Sequence, residues 1–160
     1  MPVYLFTWHG YGTWMPDRPR GYVKRDKGVL PPDEHMAECY RELAVGAEVH
    51  FVERHQRVMI DELLKAAPRQ RLHLHGVATD LTHLHALLSW WDERPWKAVR
   101  RSARSSLTRR LNQAFEHREW LSEGGGRKDE TDDEHFSHLM QNYLPKHSGL
   151  QWYDDGRGWC

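Results

Sequence analysis

The segment 71–91 constrains the fold most, because it predicts two short strands that follow one another directly. RLHLHGVAT (71–79) and THLHALLSWW (82–91) are largely apolar and bounded by polar residues, which is typical of strands in a sheet core. Only the Asp80-Leu81 turn separates them. A connection this short joins antiparallel strands, so the segment predicts a β-hairpin.

Each of these predicted strands carries two histidines at alternate positions: His73 with His75, and His83 with His85. Successive side chains of a strand point to opposite faces, so the members of each pair share a face, and Leu87 joins that of the second pair. The spacing separates paired Cα atoms by about 6–7 Å, close enough for both rings to bind one divalent cation. Partly exposed histidines on a polar sheet face are the alternative, and the sequence leaves open which pair would form a site.

The remaining pattern places helices around this hairpin. Aromatic and β-branched residues in VYLFTWHGYGTW predict a first strand over 3–14, broken by Gly10 and Gly12, and a short strand is expected within 118–133. The predicted helices cover 33–47, 53–67, 94–115 and 133–143, while 15–32 and 149–160 are expected to be irregular. The order β-α-α-β-β-α-β-α predicts an α+β fold, an antiparallel sheet of ferredoxin-like type with helices packed on one face.

Composition restricts the class of protein. A chain of 160 residues with 39% hydrophobic and 29% charged residues fits a single globular domain spanning 1–160. It contains no apolar run near the ~20 residues of a membrane span and no basic-then-apolar leader, so a cytoplasmic protein without membrane attachment is expected. Twelve histidines are unusual, and they favour metal or acid–base chemistry.

The predicted helix at 94–115 is strongly basic, although the formal net charge of the chain is zero. It contains no Asp or Glu, whereas a solvated helix face usually mixes both signs. Ser102, Ser105 and Thr108 add neutral donors for phosphate, and three nearby tryptophans, Trp90, Trp91 and Trp96, are suited to stacking on unpaired bases. The pattern predicts contact with a nucleic-acid backbone. The residues expected to make it are Lys97, Arg100, Arg101, Arg104, Arg109 and Arg110.

Three segments together resemble the HUH single-tyrosine transposases of small bacterial insertion sequences and their REP-associated relatives. THLHALLSW (82–90) looks like the family's His–hydrophobic–His strand, and QNYLPKHSG (141–149) looks like its tyrosine helix. YLFTWHGYGTWMPDRPRG (4–21) resembles the opening of one sub-group. The likeness covers most of the chain in order and spacing.

The resemblance implies a function and a set of site residues. It implies a strand transferase that cuts and rejoins single-stranded or hairpin DNA through a 5′-phosphotyrosine bond to Tyr143. It also implies Mg²⁺ or Mn²⁺ on His83, His85 and His147, with Gln151 as the fallback for the third position; imidazole ligands suit Mn²⁺ at least as well as Mg²⁺. Relatives act as monomers or as dimers, so a homodimer is compatible with it.

Two residues depart from the family pattern. Pro145 lies between the tyrosine and the third histidine, where proline is expected to kink a helix. Thr82 stands where the family often has Asp or Asn before the first histidine.

Two other functions are compatible with these residues. The first is a domesticated nucleic-acid-binding protein of the same fold that no longer cuts, an alternative supported by Pro145 and by the absence of long accessory domains. The second is a small metallohydrolase or a structural zinc protein that uses the four histidines of the predicted hairpin.

Overall fold

A computed structural model of the chain describes residues 2–13, 22–24, 28–43, 48–124, 127–130 and 132–160. The strands are β1 (Val3–His9), β2 (Tyr22–Lys24), β3 (Gly28–Leu30), β4 (His73–Thr79), β5 (His83–Ser89), β6 (Arg127–Glu130), β7 (Gln151–Tyr153) and β8 (Gly158–Trp159). The helices are α1 (Glu34–Leu43), α2 (Glu53–Arg69), α3 (Trp96–Ala114) and α4 (Asp133–His138). None of the helices in these ranges is long and apolar enough to cross a bilayer.

Six of the strands form one antiparallel sheet in the order β6-β1-β5-β4-β7-β8, while β2 and β3 pair separately. The predicted hairpin is confirmed, because β4 and β5 pair antiparallel across the Asp80-Leu81 turn. The strand β5 lies at the centre between β1 and β4, and His85 is opposite Thr7 on one side and Ala78 on the other. The strand that carries His83 and His85 is therefore held by hydrogen bonds along both of its edges.

One face of the sheet carries the larger core. Four apolar residues of α3 recur every four positions and are buried, as the sequence pattern predicted: Val99, Ala103, Leu107 and Leu111. They and the buried residues of α2 pack on the inner side chains of the sheet, among them Phe6, Trp8 and Leu84. Burial of this ridge turns the opposite side of α3 towards solvent, where Lys97, Arg101 and Arg109 are exposed.

The other face carries a smaller core beneath the chain that follows α4. Leu5, Ala78 and Leu87 of the sheet pack there against Leu139, Met140 and Leu144. The prediction of helices on one face only is therefore wrong, although the α+β class and the antiparallel sheet are confirmed. The second layer forms because alternate residues of β1, β4 and β5 are apolar on both faces, and both need cover.

Several predicted boundaries are wrong. The first strand ends at His9, and Gly10 begins a turn; α2 continues past Pro68 to Arg69. The expected irregular tail contains β7, which adds to the edge of β4, and β8, which pairs with β7. The expected loop 15–32 contains β2 and β3, while its residues 15–21 and 25–27, like 44–47 of the first predicted helix, lie outside the described residues.

Candidate metal and nucleophile site

Two of the candidate residues lie at the start of strand β5. His83 and His85 point to the same face as Leu87, because Leu87 belongs to the smaller core whereas Leu84 belongs to the larger one. The two imidazole rings lie 4.8 Å apart between centroids. His85 is only 4% exposed, and His83 lies nearer the end of the strand and is partly exposed. This face of β5 is therefore apolar in its middle and imidazole-bearing at its start.

The other two candidates come from the chain that follows α4. This chain passes through a π-helical turn, Leu139–Tyr143, and then a 3₁₀ turn, Leu144–Lys146. The helix predicted over 133–143 thus forms as α4 followed by the π-helical turn. Pro145 is accommodated at the start of the 3₁₀ turn, where its missing N–H is not required.

Backbone contacts beyond the 3₁₀ turn hold His147 in place. The Gly149 N–H donates to the carbonyl of Thr79 over 3.0 Å, and the Leu150 N–H donates to the Gln56 side chain over 2.9 Å. A Cβ atom on Gly149 would lie 2.5 Å from the Thr79 carbonyl oxygen, so glycine permits this close approach. The segment after His147 is therefore fastened to the end of β4, close to the start of β5.

These elements bring four rings together. The His147 ring lies 4.5 Å from His85 and 5.3 Å from His83 between centroids. The Tyr143 ring lies 5.3 Å from both His85 and His147. One ligand atom from each of the three histidines lies within 4.8 Å of the others, so the group can hold a metal ion. We call His83, His85 and His147 the three-histidine cluster.

The Nδ1 atom of each imidazole ring in the cluster has an oxygen partner. The Nδ1 atom of His85 is 2.7 Å from the Thr7 hydroxyl, and that of His83 is 2.9 Å from the Thr82 hydroxyl. His147 Nδ1 donates to the carbonyl of Leu144 over 3.0 Å, which requires the proton on Nδ1 and leaves the Nε2 lone pair available. Hydrogen bonds of this kind orient metal-binding histidines and raise their basicity. The donor set therefore fits a divalent cation that accepts imidazole nitrogen.

Burial controls the charge of this site. Burial, together with the neighbouring His147, His83 and His9, lowers the pKa of His85 to about 2. His85 is therefore neutral and has a lone pair at any physiological pH. Burial raises the pKa of the half-buried Tyr143 phenol, which keeps the hydroxyl protonated near neutral pH.

The cluster opens into a cleft of about 460 Å³. Besides the rings of His83, His85 and Tyr143, the cleft is lined by Thr7, His9, Thr13 and Thr82. His9 lies opposite His83 in the sheet, with ring centroids 5.8 Å apart. Sequence reasoning missed His9 and Thr7, although their alternate positions in the first predicted strand were a usable signal.

Gln151, the fallback for the third position, does not lie one helical step beyond His147. The helical turns end at Lys146, and Gln151 begins β7. Its amide donates to the His147 carbonyl over 2.6 Å, and its side-chain oxygen accepts from the Tyr153 hydroxyl over 2.7 Å. Gln151 thus supports the backbone of His147 and is engaged away from the cluster.

The basic residues of α3 divide into two groups. Arg100 donates to the carbonyls of Thr7 and Gly124, and Arg104 donates to that of Leu121, so both guanidinium groups serve the fold. Lys97, Arg101 and Arg109 are exposed, and Arg110 is half-buried. Trp91 near the start of this helix is 84% exposed, whereas Trp90 is buried at 3%. Because α3 covers the larger core, its exposed cations lie on the sheet face opposite the three-histidine cluster.

The fold and site together define an α+β protein with a histidine cluster beside a tyrosine on one face of an antiparallel sheet. No protein-family model matches the chain, and no curated protein matches its sequence. The fold is similar to that of a solved structure, the REP-associated tyrosine transposase bound to a REP hairpin, with a TM-score of 0.50 and 6% identity. The match covers 85% of this chain and 60% of that chain. It shows a distant relationship of fold.

Proposed function

We propose that this protein is a metal-dependent enzyme that cuts and rejoins single-stranded or hairpin DNA through a covalent bond to Tyr143, with residues 1–160 acting as one domain. The observation that carries the proposal is the placement of the Tyr143 ring 5.3 Å from both His85 and His147, beside a cleft open to solvent. The distant similarity of fold to a tyrosine transposase bound to a DNA hairpin supports the substrate class.

In this proposal His83, His85 and His147 hold the cation, Mn²⁺ or Mg²⁺. When bound, such an ion neutralises charge on the phosphate oxygens and so makes the phosphorus more electrophilic. Three imidazole nitrogens favour Mn²⁺ over Mg²⁺, because Mg²⁺ prefers oxygen ligands.

The role of Tyr143 in the proposal is that of nucleophile. The phenol loses its proton to water, and its oxygen forms a bond to phosphorus as the bond from phosphorus to the DNA 3′ oxygen breaks. That oxygen takes a proton and leaves as a 3′-hydroxyl, so the 5′-phosphate stays on the protein. A later attack by a 3′-hydroxyl on the same phosphorus reverses these changes and rejoins the DNA. Because burial raises the pKa of the phenol, the rate of cutting is expected to increase with pH above neutrality.

An end-labelled hairpin with a single-stranded flank tests this function directly. With Mn²⁺ present, label at the 3′ end should become attached to the protein on a denaturing gel, whereas label at the 5′ end should not. Tight binding of the hairpin without any adduct would favour the non-cleaving DNA-binding protein. Transfer of 5′ label would contradict the proposed direction of the bond.

Replacing Thr7 with valine is expected to lower Mn²⁺ affinity by about 10- to 100-fold, the usual effect of losing a hydrogen bond to a metal-binding histidine. Valine keeps the shape of threonine but removes the hydroxyl 2.7 Å from His85 Nδ1. Titration of Mn²⁺ by electron paramagnetic resonance measures the change. Thr7→Ser is the matched control, since it keeps the hydroxyl; equal affinities in both variants would contradict the role given to Thr7.

We also propose that the exposed cations of α3 contact DNA phosphates other than the one that reacts with Tyr143. The reason is that α3 covers the sheet face opposite the three-histidine cluster. Arg101→Gln should reduce the slope of log affinity against log salt by about 0.7 to 0.9, the effect of losing one phosphate contact. It should leave the cutting rate at saturating DNA unchanged. Lys65→Gln removes an exposed charge on α2 and serves as the control. A salt slope that changes equally in both variants would rule out a specific contact at Arg101.

A further inference from the structure

A second group of potential ligands lies on the same sheet face as the three-histidine cluster. His73, His75 and Asp154 each offer one ligand atom within 4.8 Å of the others. Sequence reasoning singled out the two histidines but not Asp154, which is 79 positions from His75 in the chain and joins it only because β7 pairs with β4.

A β-bulge in β4 produces this arrangement. The pairing of β4 with β5 shifts register between Leu74 and Gly76, so His75 is the extra residue of the bulge. Its Nε2 atom lies 2.7 Å from the Ser89 hydroxyl, and Ser89 is also the pairing partner of His73. Both imidazoles therefore turn to one side, with ring centroids 4.3 Å apart.

Asp154 completes the group from the turn between β7 and β8. One carboxylate oxygen, Oδ2, is 2.5 Å from His73 Nε2 and 3.7 Å from His75 Nδ1. The Asp154 N–H donates to the His75 carbonyl over 3.0 Å, which ties the carboxylate-bearing residue to the bulge. Since Ser89 engages Nε2 of His75, the Nδ1 atom is the one that faces the carboxylate.

We propose that His73, His75 and Asp154 form a second divalent-cation site, of the kind that takes Zn²⁺. Two imidazole nitrogens and one carboxylate oxygen are a common zinc donor set, and three protein ligands leave a fourth position for water. The His73 side chain is 57% exposed, which gives solvent access to the ion. The hydrogen bond with the Ser89 hydroxyl orients the His75 ring. Metal-binding histidines are commonly oriented in this way by a hydrogen bond to the ring nitrogen that does not bind the metal.

This site is separate from the three-histidine cluster. His73 and His75 lie at the start of β4, opposite Ser89 at the end of β5, whereas His83 and His85 lie at the start of β5. Leu87 lies between them on that face and belongs to the smaller core. The two sites therefore have no ligand residue in common.

The second site is connected to the segment that carries Tyr143. The His75 ring contacts Phe136 of α4 edge-on, with centroids 5.2 Å apart. Arg157, in the same turn as Asp154, donates to the carbonyl of Met140 in the π-helical turn over 2.9 Å. Zinc binding is therefore expected to stabilise β7, β8 and the helical chain packed against them, and to raise the unfolding temperature.

The experiment counts zinc in a protein without the first cluster. In the His83→Ala/His85→Ala variant, calorimetric titration with ZnCl₂ should give one bound equivalent, and CoCl₂ should produce a visible absorption band from nitrogen and oxygen ligands. Adding Asp154→Asn or, separately, the exposed His73→Gln should remove that equivalent and the rise in unfolding temperature. His138→Ala, an exposed histidine on α4, should retain both.

Zinc bound equally well after Asp154→Asn and His73→Gln would overturn the proposal, as would no zinc bound by the starting variant. Near-ultraviolet circular dichroism without metal establishes that each variant is folded. Failure here is distinguishable from failure of the proposed function, because the zinc count involves neither DNA nor Tyr143. Adduct formation by Asp154→Asn in the otherwise intact protein tests the cutting activity separately.

Discussion

Tyr143→Phe is expected to abolish the covalent protein–DNA adduct completely while DNA affinity stays at the wild-type level. Phenylalanine keeps the ring that packs against the smaller core and loses only the hydroxyl oxygen that would bond to phosphorus. The measurement is the denaturing-gel assay with 3′-labelled hairpin and Mn²⁺, together with a binding titration of the same DNA.

The matched control for this change is Tyr153→Phe. Tyr153 is a buried tyrosine of the same core, and its hydroxyl donates to the Gln151 side chain over 2.7 Å. Losing that hydrogen bond should cost about 1 kcal/mol of unfolding free energy and leave the adduct intact. An adduct that persists in Tyr143→Phe would assign the nucleophile to another residue and end the proposed mechanism.

His85→Ala is expected to reduce Mn²⁺ affinity by more than about 100-fold, beyond the usual effect of altering a residue that only orients a ligand. His85 is the most buried member of the three-histidine cluster, and its ring lies nearest to His147. It also adjoins Tyr143, so the same change should remove the adduct. Titration of Mn²⁺ by electron paramagnetic resonance and the labelled-hairpin assay measure the two effects.

His138→Ala controls for removing a histidine outside the cluster, because His138 is exposed on α4. A thermal unfolding curve without metal shows whether His85→Ala remains folded. If Mn²⁺ affinity and adduct formation both survive in folded His85→Ala, the cluster is not the metal site that serves cutting. If affinity falls but the adduct survives, the cutting reaction does not use the cation.

Much of the fold could be predicted because local patterns and tertiary packing agree. The apolar ridge of α3 and the β4–β5 hairpin are encoded by spacing within short segments, and both formed as predicted. The tail could not be predicted as strands, because β7 and β8 have three and two residues and gain their order from pairing with the edge of β4. The layer on the second sheet face was missed for a similar reason, since only the folded sheet shows which apolar positions need cover.

Helix α3 shows why the residues of a binding site could not all be predicted from the sequence. Charge alone grouped Arg100 and Arg104 with the exposed cations, yet both donate to backbone carbonyls of neighbouring segments. No local pattern distinguishes an arginine that caps a carbonyl from one that contacts phosphate, because the distinction depends on what packs beside it.

The sequence by itself determined that His83 and His85 share a strand face, because the two-residue repeat of a strand is a local property. It also placed Tyr143 four positions before His147, although Pro145 between them left their alignment open. Only the tertiary structure decided that these two pairs meet, and that Asp154 joins His73 and His75. Such convergence depends on strand order, a β-bulge and a π-helical turn, which arise from long-range pairing and packing and leave no repeat in the chain.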